Sequence, residues 1–155
     1  MGRGIDTLLS ITDQTESSII IEATPAEVMA VVADLKNYPS WATAIKRVEI
    51  DEADKSGRPL RVTISIDAGA MRDTVALVYD WSGSPDVVSW SLEDAKMLTA
   101  MDGAYEVREH PEGAEVSYRL TVDLSMPMLS MIKRKAEKDV VDSALKQLKK
   151  FVEEQ

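Results

Sequence analysis

The chain has no cysteine, one histidine and one phenylalanine in 155 residues. Without cysteine there is no disulfide framework, thiolate metal site, iron–sulfur ligation or cysteine nucleophile. The single histidine, His110, rules out a multi-histidine metal centre within one chain and leaves little material for a Ser–His–acid triad. It lies in the turn sequence Glu109-His110-Pro111-Glu112-Gly113 and reads as a solvated turn residue. No metal and no cofactor is expected. Long apolar runs are also missing. The longest uncharged stretches, at 37–45 and 124–132, fall well short of the roughly 20 residues that cross a bilayer. Near the N-terminus, Ile5, Leu8, Leu9 and Ile11 are interrupted by Asp6, without a signal peptide's apolar run or cleavage site. The expectation is a cytoplasmic protein with an N-terminal arm at 1–15 and a single domain at 16–155.

Positive charge is scarce as well. Lys plus Arg number 18 against 27 Asp plus Glu, a net charge of −9. An acidic body repels phosphate backbones, so no nucleic-acid partner is expected. The exception is the C-terminal stretch, where Lys133, Arg134, Lys135 and Lys138 cluster. A basic amphipathic helix there allows at most transient contact with anionic lipid, and a solvated face paired with the acidic body is the plainer reading. The hydrophobic fraction of 45% and charged fraction of 29% are those of an ordinary globular domain with one core.

What is present falls into three regions. Residues 17–23, SSIIIEA, form a β-branched run that predicts a first strand. Thr24, Pro25 and Glu27 then make a capping box with proline at the first helical position. The predicted helix ends at Asn37-Tyr38-Pro39, and Ser40-Trp41-Ala42 supplies a second short turn that plugs an end of the core. From 45 to 124 the apolar period is two: Leu60, Val62, Ile64, Ile66; Val75, Leu77, Tyr79, Trp81; Val88, Trp90, Leu92; and Val116, Tyr118, Leu120, Val122. With a strand near 45–50 and another at Leu98–Val107 containing Gly103 and Tyr105, this is a six-strand antiparallel meander. The last region, opening at Ser125 and Pro127 and running to about Glu154, is a long helix. Its apolar stripe reads Leu129, Ile132, Ala136, Val140, Ala144, Leu148, Phe151, widened by Val141, Leu145 and Val152, with Glu137 on the opposite face.

A curved sheet packed against one long helix cannot close tightly everywhere, and alanines on the inward stripe leave space; an apolar cavity is expected between them. The element order, with ATPAEVMAVVADLKNYPSWA after the first strand and KRKAEKDVVDSALKQLKKFV at the end, resembles the START-like superfamily of helix-grip proteins. Within it, the chain is most similar to the small bacterial polyketide cyclase/dehydrase and lipid-transport group, over about residues 16–152, actinobacterial members especially. The resemblance implies an α+β helix-grip fold: a seven-strand curved antiparallel sheet around a long C-terminal helix, with two short helices after the first strand. It also implies a hydrophobic cavity. The function expected is binding or transport of a hydrophobic small molecule such as a lipid, isoprenoid or polyketide. The alternatives are a polyketide aromatase/cyclase or dehydratase, and a regulatory or toxin-like interaction protein. No short catalytic motif is available to carry over.

The candidate ligand-binding residues are Trp41, Ile64, Leu77, Tyr79, Trp90, Tyr105, Tyr118 and Leu120, with Ile132, Ala136 and Val140 from the helix. Asp73, on the face of Val75 and Leu77 if alternation extends back, is the best acid/base candidate, although a turn role is the simpler one. Met71, Met97, Met101, Met126, Met128 and Met131 offer an adaptable pocket mouth or plain core filling.

Overall fold

The computed structural model describes residues 14–69, 71–126 and 129–155. Strand β1 (Thr15–Ile21) leads into α1 (Pro25–Ala33) through the expected capping box. Thr24 Oγ1 accepts from the Glu27 amide at 3.2 Å, and Glu27 Oε1 accepts from the Thr24 amide at 3.0 Å. A 3-10 helix, Leu35–Ser40, follows and carries Pro39 inside it. The sequence places a break at 37–39 and a turn at 40–42; a short 3-10 turn has few i−4 amides for a proline to disrupt, so the helical path continues through it.

Strands β2 (Ile45–Ala53), β3 (Pro59–Ala68), β4 (Met71–Asp80), β5 (Val87–Ala95), β6 (Leu98–His110) and β7 (Gly113–Leu124) complete the sheet. All seven strands are antiparallel in the order β1-β7-β6-β5-β4-β3-β2. Register shifts between β2 and β3 and between β4 and β5 are where bulges bend such a sheet. The alternation read from the sequence is the burial pattern found: Val62, Ile64, Val75, Leu77, Tyr79, Val88, Trp90, Tyr118, Leu120 and Val122 are all buried. β1 begins at Thr15, the last residue assigned to the arm, which already pairs with Leu120.

The closing helix α2 (Ser130–Glu153) starts later than expected, after an N-cap, Leu129, that offers no side-chain cap. Its packing face is centred on the residues that widen the predicted stripe, and it takes in Glu137 as well. The buried seam is Glu137, Val141, Leu145, Leu148 and Val152, while Ile132 is 53% exposed and Ala136, Val140 and Ala144 are half-buried. Both stripes satisfy helical spacing. Packing against β1 and β7 selects the one with branched or long aliphatic side chains at successive turns. Counting apolar letters alone put Glu137 outside. No described helix is long and apolar enough to cross a membrane.

Candidate functional site

Because α2 gives its seam to β1 and β7, its neighbouring edge is left facing the other half of the sheet. There, between α2, the 3-10 helix and the sheet, lies a cavity of about 330 Å³. The inner wall is made of buried side chains: Tyr38 and Trp41 from the 3-10 segment, then Ile64, Leu77, Tyr79, Trp90, Met101, Tyr105 and Tyr118 from five successive strands. The mouth is polar and partly exposed. Thr43 and Ala44 come from the loop before β2, Asp67, Ala68 and Gly69 from the end of β3, and Asp139, Ser143 and Gln147 from α2.

Trp90 is the hub of the inner wall. Its ring centroid lies 5.6 Å from Tyr79, 5.7 Å from Tyr105 and 5.8 Å from Tyr118, and Tyr105 and Tyr118 are 4.4 Å apart. Offset and tilted aromatic contacts of this kind are favourable beyond their buried area. The cluster exists because β6 carries no side chain opposite the indole. Gly103 pairs with Trp90 in register, and a Cβ built there would sit 2.4 Å from Trp90 Cζ2. The Nε1 atoms of Trp41 and Trp90 are buried with no hydrogen-bond partner. Burial pushes the hydroxyls of Tyr79, Tyr105 and Tyr118 well above the ordinary phenol range, with repulsion among the would-be phenolates adding to the effect at Tyr79 and Tyr105. They stay protonated at any physiological pH.

The mouth is held by a clasp between two distant parts of the chain. Gln147 Oε1 accepts from the Thr43 amide at 3.0 Å, and Gln147 Nε2 donates to Thr43 Oγ1 at 2.9 Å and Ser143 Oγ at 3.2 Å. The two carboxylates there are already engaged. Asp67 lies 3.2 Å from Arg72 and also accepts from the Gly69 amide, which together hold its carboxyl below the usual range. Asp139 lies 3.3 Å from Lys135.

Of the eleven residues proposed from sequence, Trp41, Ile64, Leu77, Tyr79, Trp90, Tyr105, Tyr118 and Val140 are brought together on this cavity. Three are not. Leu120 is wholly buried on β7, the strand against which α2 packs, and does not reach the cavity. Ile132 points to solvent, and Ala136 lines a separate hollow of about 200 Å³ with Met71, Val122 and Met126. Both follow from the rotated helix face. Ile66 was missed although it shares the alternation of its strand, and Met101, weighed with the other methionines for the pocket mouth, lies on the inner wall. Ser143 and Gln147 carried no apolar signal, so only their position four apart on one edge of the helix marks them.

The other candidates resolve into structural roles. Asp73 is partly buried, which opposes ionisation, but the amides of Leu98, Met97, Thr74 and Lys96 donate to it and keep its carboxyl below the usual range. It fastens the β5–β6 turn and lies outside the cavity. Among the methionines, Met101 reaches the cavity and Met71 is core, whereas Met97, Met126 and Met131 are exposed; Met128 lies outside the described residues. His110 Nδ1 accepts from the Glu112 amide at 3.1 Å within its turn.

Glu137, fully buried on α2, was assigned to the wrong face by the sequence. Its Oε1 accepts from Thr15 Oγ1 and its Oε2 from the Val122 amide, each at 2.8 Å, with Lys133 Nζ at 3.8 Å. β1 stops pairing with β7 at Leu120, so the carboxylate takes up the edge amide two residues beyond, that of Val122. Among the described residues, no cluster of His, Asp and Glu fit to hold a metal occurs.

A search of curated protein sequences finds no match. Among solved structures, a START superfamily protein from Mycobacterium smegmatis superposes with a TM-score of 0.85 at 16% identity, covering 91% of this chain and 97% of that one. A protein from Thermus thermophilus gives 0.77 at 20% identity, with 90% and 96% covered. The Zhui aromatase/cyclase from a Streptomyces species gives 0.74 at 16% identity, with 90% and 93% covered. At such identities the likeness establishes the START-like helix-grip fold. The sequence model of one family, described as polyketide cyclase / dehydrase and lipid transport, matches residues 12–153. The chain therefore belongs to the polyketide cyclase/dehydrase and lipid-transport family.

Proposed function

We propose that the protein binds a compact hydrophobic molecule in this cavity and carries or presents it without transforming it. The cavity itself supports the reading most directly: about 330 Å³, walled by aromatic and aliphatic side chains, with a polar mouth. That volume is at the low end of the roughly 300–1,000 Å³ of small-molecule sites. A fused-ring or short isoprenoid ligand fits, and two full acyl chains do not. Hydrocarbon burial at about 25 cal/mol per Å² dominates affinity in such a site.

Aromatase/cyclase or dehydratase activity is the second reading, favoured by the family description and by the likeness to a Streptomyces aromatase/cyclase. It requires a proton acceptor near neutral pH beside the ligand. The ionisable groups of the inner wall are tyrosines that burial holds protonated, and the carboxylates of Asp67 and Asp139 are paired at the mouth. Carriage therefore stands ahead of catalysis. Any membrane contact belongs at the start of α2, where Leu129, Met131 and Ile132 are exposed beside Lys135 and Lys138.

Mass spectrometry of organic extracts from protein purified out of its native host tests the reading. A hydrophobic molecule should co-purify with wild type, be lost from Ala144→Phe at the cavity edge, and persist in Ala136→Phe at the separate hollow. A clean extract, with no binding across a panel of lipids, isoprenoids and polyketides, refutes carriage. Turnover of a poly-β-ketone substrate favours the enzyme instead.

A further inference from the structure

The polar groups on the inner wall set limits on what the cavity accepts. Four tyrosines reach it, and they are not equivalent. The Tyr38 hydroxyl donates to the Val32 carbonyl. Those of Tyr79, Tyr105 and Tyr118 make no hydrogen bond among the described residues and belong to side chains that line the cavity, whereas the fully buried polar atoms left without a partner are the indole Nε1 atoms of Trp41 and Trp90. A hydroxyl that lines a cavity without a protein partner is met by whatever fills that cavity, water or ligand. The rings around them are fixed: Tyr79 faces Trp90 across β4 and β5, Tyr105 faces Tyr118 across β6 and β7, and Trp90 touches all three tyrosine rings. Hydroxyls held this way are preorganised and pay little further ordering cost on binding.

Formal charge is absent from the same wall. No Lys, Arg, Asp or Glu lies among its buried residues, and the nearest carboxylates, Asp67 and Asp139, sit at the mouth with partners of their own. An ionised ligand group drawn inside would lose its water and meet no countercharge.

We infer, resting on the cavity reading above, that the site selects neutral hydrophobic molecules carrying a carbonyl or hydroxyl oxygen, which docks against Tyr79, Tyr105 and Tyr118. Plain hydrocarbons leave those hydroxyls unmet. Fatty carboxylates, phosphate esters and ammonium compounds are excluded by desolvation. An oxygen acceptor satisfies hydroxyls that water otherwise fills, while the carbon skeleton takes the apolar remainder of the wall.

Four probes of one shape test this by equilibrium dialysis at pH 7: 2-acetylnaphthalene, 2-ethylnaphthalene, 2-naphthoate and 2-naphthylmethylammonium. Single Tyr79→Phe, Tyr105→Phe and Tyr118→Phe replacements keep the ring and remove only the hydroxyl. At least one should weaken the ketone about three- to tenfold, the scale of one neutral hydrogen bond, and leave the hydrocarbon within about twofold. Tyr38→Phe, whose hydroxyl is already engaged, should leave the ketone-to-hydrocarbon ratio unchanged. Both ions should bind at least about thirtyfold more weakly than the ketone, reflecting uncompensated desolvation. The carbonyl stretch of bound 2-acetylnaphthalene should shift to lower frequency in wild type and return toward its value in hydrocarbon solvent in the responsive variant. The inference is overturned if every variant moves ketone and hydrocarbon in parallel, or if either ion matches the ketone. If none of the four probes binds, the cavity reading beneath it falls too.

Discussion

Replacing Glu137 should be among the most damaging single changes in the helix, although the residue carries no part of the cavity. The side chain is wholly buried and accepts two hydrogen bonds at 2.8 Å, from Thr15 Oγ1 and the Val122 amide. Glu137→Ala removes both acceptors. The Thr15 hydroxyl sits near the edge and can turn to another partner, but the Val122 amide is left inside without one, at about 1–3 kcal/mol. The lost side-chain atoms leave a gap beneath α2 worth about another 1–2 kcal/mol. Together these predict about 3–5 kcal/mol, a large share of the roughly 5–15 kcal/mol of a typical domain. Glu137→Gln keeps the volume and one acceptor but turns an amide N–H₂ toward a donor, so about 1–2 kcal/mol is expected. Urea unfolding should rank wild type above Gln above Ala. Amide exchange at Val122 should accelerate more in Glu137→Ala than exchange at Gly103 or Tyr105. If Glu137→Ala costs less than about 0.5 kcal/mol, or Val122 exchange is unmoved, the carboxylate is not completing the strand edge and the argument fails.

Gly103→Ala places a Cβ 2.4 Å from the Trp90 ring, so the indole must shift toward the cavity; a loss of about 1–3 kcal/mol in denaturant unfolding, with weaker ligand binding, is expected. Each buried tyrosine has its folded-state pKa raised, so above about pH 10 the unfolded chain releases protons that the folded chain keeps, and stability falls as pH rises. The slope should approach about 1.4 kcal/mol per pH unit for each tyrosine, with tyrosinate absorbance appearing together with unfolding rather than before it. Gln147→Ala opens the clasp to Thr43 and should speed ligand association and dissociation in stopped-flow fluorescence, while the melting temperature shifts little. Asp73→Asn should raise amide exchange at Met97 and Leu98 and leave ligand affinity unchanged, since the carboxylate holds that turn and not the cavity.

The sheet was legible because its signal is repeated. Five strands each carry several period-two positions, and a single misread residue does not alter the face. Six of the cavity-lining residues followed almost automatically, since an inward side chain near the middle of β3 to β7 faces the space beneath the helix. The helix was harder. Its stripe at 132, 136 and 140 and its true seam at 137, 141 and 145 are offset by one position, about 100° of rotation. Periodicity separates them only if Glu137 is scored as an inward residue. Nothing local distinguishes a glutamate bound to a strand edge from one in water; the difference lies in where β1 begins, some 120 residues away in the sequence. The polar mouth was invisible for a related reason: Thr43, Ser143 and Gln147 are ordinary surface residues until the fold sets them side by side.

The division of α2 into a sealed seam and an adjoining cavity edge bears on how the family can diversify. Val141, Leu145, Leu148 and Val152 are committed to β1 and β7, and changes there endanger folding. Val140, Ser143, Ala144 and Gln147 lie on the same helix, partly exposed, and touch the cavity. A substitution at any of the four alters the shape or polarity of the opening while the seam keeps the helix in place. One helix thus offers separate handles for stability and for selectivity. A library confined to those four positions should yield folded proteins with altered ligand preference far more often than one spread along the whole helix.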